Sequence, residues 1–298
     1  MILVNSINFF KEETYPNGEL IFNENIERDI RLIVRSGSDF EIVTPDIKVD
    51  FTYKNDSSLI KLMFAKKYID RINFNKKPVM LTINYMPYSR MDKVQCKHEM
   101  FSLKYVAEFI NDLKFDSVAV WEPHSDVTCA LLNNSFYIPT SSMICRGAMK
   151  YIKFDKENDY VMYPDAIAQK KYSSGNNKIH CKNMLVGYKY RNFETDKILK
   201  FGFLGDIEDG HKIIIVDDLC SYGETFIGLA NSVKELAPNS KIYLVVTHLE
   251  LSVFKGKLLE DDSPINCIFC TNTMASRKDY MHDKIIVMNP YEAARGDF

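Results

Sequence analysis

The apolar run Ile213-Ile214-Ile215-Val216 leads straight into two adjacent aspartates, Asp217 and Asp218, and then into Ser221-Tyr222-Gly223-Glu224-Thr225. A short branched run of this kind suits a buried strand, and the pattern from Thr225 to Leu236, stopping at Ala237-Pro238, predicts a helix. Strand, glycine-bearing turn and helix in that order predict part of a βαβ unit. In parallel sheets, ligands gather beyond the carboxyl ends of the strands. The turn also offers an anion its backbone N–H groups and a helix N-terminus. Two carboxylates at that lip can accept hydrogen bonds from ribose hydroxyls or help hold Mg²⁺. Taken by themselves, Asp217 and Asp218 equally suit a turn and a helix-capping cluster.

The rest of the chain repeats the alternation. Val79 to Asn84 reads as a strand, and Glu99 to Leu113 as a helix, with Phe101, Leu103, Val106, Phe109, Ile110 and Leu113 at helical spacing. Ser117 to Trp121, Lys212 to Val216 and Lys241 to Thr247 read as further strands. Strands alternating with helices imply an α/β fold with mainly parallel sheets. At roughly 150 residues per domain, 298 residues suggest two. A junction near Ser142 to Tyr151 gives domains of 1–145 and 146–298, and the polar stretch Ser173 to Lys178 reads as a loop in the second half.

Composition narrows the function classes. A net charge of −2 supplies no basic field for nucleic acid or anionic lipid, so any phosphate recognition must be local. No apolar run approaches the ~18 residues of a membrane span, and the N-terminus lacks the basic start and cleavage site of a signal peptide. Seven scattered cysteines point to a reducing compartment, the cytoplasm by default. Cys267 and Cys270 form a lone C-x-x-C; its flanks, Pro264 to Thr273, read as a buried strand, which makes them core cysteines rather than zinc ligands. His98, His180, His211 and His282 carry no supporting pattern.

The segment from Ile213 to Thr225 resembles the phosphoribosyl-diphosphate-binding motif of type I phosphoribosyltransferases and ribose-phosphate diphosphokinases: an apolar strand, two acidic residues, and a loop usually read D-T-G-G-T. The acidic pair, Gly223 and Thr225 match; Ser221, Tyr222 and Glu224 depart. Further segments resemble the diphosphokinase branch, in the family's order. Tyr15-Pro16-Asn17-Gly18-Glu19 is similar to its F-x-D-G-E segment, with Asn17 for aspartate. Arg90 and Asp92 match its R-Q-D, with Met91 for glutamine. Glu122-Pro123-His124 stands where the family has D-L-H, Tyr163-Pro164-Asp165 where it has S-P-D, Lys189-Tyr190-Arg191 at its K-x-R, and Thr247-His248 at a strand-end T-H.

The resemblance implies two phosphoribosyltransferase-type (Rossmann-like) domains and an ATP-dependent diphosphotransferase that needs Mg²⁺. It implies ATP contacts from Tyr15, Asn17, Glu19, Arg90 and Asp92, metal contacts from His124 and Asp165, and a mobile flap carrying the catalytic Lys189 and Arg191 beside His124. Asp217, Asp218, Ser221, Tyr222, Gly223, Glu224 and Thr225 would hold the ribose and its phosphate. Outside that resemblance, Lys189 and Arg191 read as a solvated surface and His124 as a loop histidine. Asn192-Phe193 reads as flap anchoring, and Phe201 and Phe203 as core. Such proteins assemble as homodimers or homohexamers.

The departures bear on the acceptor. A glutamate pointing inward at position 224 would repel a terminal phosphate dianion, and Tyr222 adds a face able to pack on a base. Both favour a larger ribose with an esterified 5-phosphate, for which ADP-ribose is the obvious candidate. A phage-encoded branch of the family makes ADP-ribose 1-diphosphate for NAD⁺ synthesis, which would place the chain in a host cytoplasm. Ribose 5-phosphate is the alternative, with Glu224 turned outward as a favourable first-turn carboxylate. A non-catalytic regulatory homologue and a phosphoribosyltransferase that consumes the activated sugar are the other two.

Overall fold

The structure is a computed structural model that describes residues 1–4, 7–23, 47–74, 76–94, 96–175, 178–191 and 198–295. It divides into two compact units, Met1–Ile138 and Pro139–Phe298. The expected junction at 145/146 would cut through a helix, Thr140–Tyr151, whose buried face packs within the second unit.

The first unit contains β1 (Ile2–Val4), β2 (Ile7–Asn8), β3 (Phe10–Thr14), β4 (Leu20–Phe22), β5 (Ile47–Phe51), α1 (Ser57–Ile72), β6 (Val79–Ile83), α2 (Ser102–Asp112), β7 (Ser117–Trp121), α3 (Val127–Leu131) and β8 (Ser135–Ile138). Its sheet runs β2-β1-β5-β6-β7-β8. Strands β5 to β8 are parallel, and β1 is antiparallel to both neighbours. Strands β3 and β4 form a separate antiparallel pair. Helix α1 turns Leu62, Ala65, Ile69 and Ile72 inward, at the three- and four-residue steps that keep side chains on one face. Each such buried aliphatic side chain larger than alanine contributes about 1.5–3 kcal/mol.

The second unit contains α4 (Thr140–Tyr151), β9 (Tyr160–Tyr163), α5 (Ala166–Tyr172), β10 (Asn183–Arg191), β11 (Ile198–Leu204), β12 (Lys212–Cys220), α6 (Glu224–Leu236), β13 (Lys241–Leu249), β14 (Ile265–Cys270), β15 (Ile285–Val287) and α7 (Pro290–Arg295). The sheet order is β11-β10-β9-β12-β13-β14-β15, parallel except for β11. Period-two alternation divides β12 between two cores. Ile213 and Ile215 join Leu229 and Val233 of α6, while Ile214 and Val216 join Ile144 and Ala148 of α4. Burial on both faces explains why the run is continuously apolar.

The expected strands and helices form, with two differences. Strand β12 does not stop at Val216. Its ladder with β13 continues through Asp217↔Val246 and Leu219↔His248 to Cys220↔Leu249, so both aspartates sit in a strand rather than in a turn. Lys189 and Arg191 also lie on a strand, β10, rather than on a loop. Asn192 and Phe193 lie outside the described residues, as do Asn176 and Asn177 of the expected 173–178 loop. Phe201 and Phe203 are partly buried against the α6-side core. Cys267 and Cys270 occupy β14, where a three-residue step sends them to opposite faces. Burial pushes both thiols up, that of Cys267 to about 11, as suits core cysteines.

Candidate functional site

The acidic pair stands near the carboxyl end of β12, at the centre of the second unit's sheet. Asp218 is 6 % exposed and Asp217 is half-buried. The Oδ1 of Asp217 accepts the backbone N–H of Asp218 at 2.9 Å. Burial, then the neighbouring charge of Asp218, and to a lesser degree that of Asp165, push the Asp217 carboxyl well above the usual aspartate range. The Nζ of Lys171, on α5, lies 4.0 Å from Oδ2 of Asp218. Asp165 caps that helix: its Oδ1 accepts the amides of Ile167 at 3.0 Å and Ala168 at 2.9 Å, which leaves Oδ2 for a ligand.

A buried polar layer supports the pair. The Ser141 hydroxyl donates to the Asp217 carbonyl at 3.0 Å and shares a hydrogen bond with the Thr247 hydroxyl at 2.7 Å. Thr271 donates to the Thr247 carbonyl at 2.7 Å, and His248 Nδ1 lies 2.9 Å from Thr273 Oγ1. Thr247 and His248 are thus buried beneath the site, 0 % and 2 % exposed.

The loop from Ser221 to Thr225 turns directly into α6. Gly223 takes the left-handed conformation, φ +86, which only glycine adopts freely. Its carbonyl receives the amides of Phe226 and Ile227. A Cβ at Gly223 would overlap the Leu258 side chain, and one at Gly256 would overlap the Tyr222 carbonyl, so the 251–258 segment presses directly on the loop. The Ser221 hydroxyl donates to Glu250 Oε2 at 2.6 Å, and Ser252 donates to the same oxygen at 3.0 Å. Glu224 is exposed in the first turn of α6, where the helix dipole favours a carboxylate, and Tyr222 is 51 % exposed.

Lys189 is half-buried on β10 and pairs in register with Phe201 of β11. By alternation it shares a face with Leu185 and with Gly187, where a Cβ would come within 2.7 Å of Leu229 on α6. Phe201 in turn occupies the space a side chain at Gly228 of α6 would need. The ladder slips between Tyr190 and Arg191, and Arg191 ends the strand opposite Ile198.

In the first unit, Tyr15, Asn17 and Glu19 form the exposed tip of the β3–β4 hairpin. The Tyr15 amide donates to the Glu19 carbonyl at 2.9 Å, and Asn17 Oδ1 accepts the Glu19 amide at 3.2 Å. Arg90, exposed, and Asp92, half-buried, follow β6. His124 is exposed beyond β7. It follows Glu122, which is fully buried at φ +40 and accepts the Tyr137 hydroxyl at 2.5 Å. A buried non-glycine residue in the left-handed region costs about 1–3 kcal/mol and marks functional segments.

Asp165, Asp217, Asp218 and the 221–225 loop therefore come together in the second unit, while Tyr15, Arg90 and His124 belong to the first. Sequence reasoning missed Lys171 and Glu250. A basic residue two positions from the end of α5, and a carboxylate just past Thr247-His248, were the signals available. Among the described residues, no three His, Cys, Asp or Glu side chains form a metal-binding cluster. None of the described helices is long and apolar enough to cross a membrane.

Two mainly parallel α/β units, the second with paired aspartates before the loop that opens α6, define the class of protein by its fold. Residues 191–288 match the phosphoribosyl synthetase-associated domain. A ribose-phosphate pyrophosphokinase of Pyrococcus abyssi is 25 % identical over 236 residues, covering 76 % of each chain. One of Aquifex aeolicus is 28 % identical over 222 residues, covering 73 % of this chain and 67 % of the relative. A phosphoribosylpyrophosphate synthetase structure from Mycobacterium smegmatis superposes with a TM-score of 0.69 at 19 % identity, over 97 % of this chain and 89 % of that one, which speaks to the fold. Over about three quarters of its length the chain is similar to ribose-phosphate pyrophosphokinases.

Proposed function

We propose that the protein moves the β,γ-diphosphate of ATP to the anomeric hydroxyl of a 5-phosphorylated ribose and releases AMP. The observation that carries this is the convergence of Asp217 and Asp218, the Ser221–Thr225 loop and Lys171 at one strand end. Diphosphate transfer needs positioning and charge neutralisation more than covalent help. The aspartates clasp the ribose hydroxyls, and the loop amides meet the 5-phosphate. Lys189 and Arg191 steady the transferring group, Arg90 the ATP phosphates, and Tyr15 with Asn17 and Glu19 the adenosine. The raised Asp217 carboxyl beside Asp218 is what a hard cation would relieve, so the second unit's site suits Mg²⁺, with Asp165 as a further contact; the role for His124 rests on its resemblance to the family's metal-phosphate histidine. When bound, Mg²⁺ would supply positive charge to neutralise the phosphate oxygens.

For the acceptor we favour ADP-ribose. The loop carries Glu224 in place of a second glycine and is braced by Glu250, an acidic setting for a terminal phosphate dianion but a milder one for a 5-phosphate inside a diphosphate link, which carries a single charge. Ribose 5-phosphate is the competing reading, favoured by the names of the relatives. Following AMP release from ATP and Mg²⁺ with each acceptor separates them: faster turnover of ADP-ribose is expected, and faster turnover of ribose 5-phosphate overturns the preference. Cytoplasmic placement and a homo-oligomer, dimer or hexamer, accompany this reading.

A further inference from the structure

We infer that Glu250 is a specificity-determining residue, which reverses the hydrogen-bonding sense of the loop at Ser221 so that the acceptor must present a donor there. This inference deepens the acceptor reading above and rests on it. A serine hydroxyl has one hydrogen and two lone pairs. At Ser221 the hydrogen is committed to Glu250 Oε2 at 2.6 Å, and the same oxygen takes the Ser252 hydrogen at 3.0 Å. What Ser221 can still offer a ligand is lone pairs.

A terminal phosphate dianion has only acceptor oxygens, so the Ser221 hydroxyl cannot donate to it, and the nearby carboxylate repels it. A hydroxyl-bearing group esterified to the 5-phosphate can donate to Ser221 and carries less charge. The arrangement is braced on both sides. The Glu250 amide donates to the Cys220 carbonyl at 2.8 Å, and Gly256 abuts the Tyr222 carbonyl. The backbone that carries Glu250 is therefore held beside the loop.

The chemical class recognised is a ribose whose 5-phosphate is linked through a diphosphate to a group bearing free hydroxyls. Sites built around a ligand hydroxyl discriminate strongly against analogues that lack it.

The test is titration calorimetry of ADP-ribose and of ribose 5-phosphate into the 298-residue chain and its variants. Glu250→Ala frees the Ser221 hydrogen and removes the charge. It is expected to tighten ribose 5-phosphate, and to shrink the preference for ADP-ribose at least fivefold, roughly 1 kcal/mol. A preference that moves by less than about fivefold overturns the inference. Should Glu250→Ala melt before it can be titrated, Ser221→Ala serves. It is expected to weaken ADP-ribose roughly fivefold while leaving ribose 5-phosphate in place, and equal effects on both overturn the inference. Wild-type AMP release is measured alongside. Absence of AMP with either sugar sinks the diphosphotransferase reading, while the titration ratio still judges Glu250.

Discussion

The ammonium of Lys171 lies 4.0 Å from Oδ2 of Asp218, reaching from the end of α5 to an aspartate near the end of the central strand. Its charge partly offsets those of the two adjacent carboxylates. Lys171→Met is expected to lower kcat/KM about tenfold, mainly through the acceptor's KM, because it loosens the aspartates proposed to clasp the sugar. Initial-rate measurements with varied acceptor check this; an unchanged KM would remove Lys171 from the site.

Asp217 illustrates stability given up for function. Its carboxyl pKa is raised in the folded chain, first by burial and then by Asp218. The folded state therefore holds the proton more tightly than the unfolded chain. The stability this confers is complete below the ordinary value of 3.8 and is lost as pH rises through the raised folded value. At neutral pH the ionised group is a net cost. Asp217→Asn is expected to raise Tm by roughly 2 °C at pH 8 while abolishing turnover, with the gain shrinking as pH falls toward 4. Thermal melts across that range, paired with AMP assays, test both halves.

Lys189 should separate catalysis from stability. It is half-buried on a hairpin at one edge of the sheet, so Lys189→Ala is expected to move unfolding by only about 0.5 kcal/mol. Loss of one preorganised charge on the transferring group is expected to cost about 10²–10³ in kcat. Denaturant melts and ATP-saturated rates measure the two effects independently.

Gly223→Ala is expected to destabilise the chain by about 2 kcal/mol, because φ is +86 and the new methyl overlaps Leu258. Adding Leu258→Ala should relieve the overlap and leave the backbone strain, so the double variant should not recover loop function. Comparing acceptor KM in the single and double variants tests that division.

Much of this was legible in the sequence, for physical reasons that can be named. Ile213 to Val216 are apolar without interruption because the strand is covered on both faces, so the strand and the acids after it could be read directly. The continuation of β12 to Cys220 could not, because pairing with β13 rather than hydrophobicity carries it past two aspartates. Asp217 and Asp218 were read from the apolar run that precedes them, and Asp165 from the resemblance of Tyr163-Pro164-Asp165 to the family's S-P-D segment. Lys171 and Glu250 stayed hidden because their meaning depends on partners 47 and 29 residues away, Asp218 and Ser221, met only through tertiary packing. Lys189 was expected on a flap; its β-ladder depends on β11, whose partnership no local pattern announces.

The Phe201 ring, pressed against Gly228 on α6, sits directly across the ladder from Lys189, and the same helix begins at the Ser221–Thr225 loop. One helix therefore carries the loop at its leading end and, a turn further on, the bare backbone on which the Phe201 ring rests, so a side chain at position 228 would have to push that ring, and the strand behind it, away.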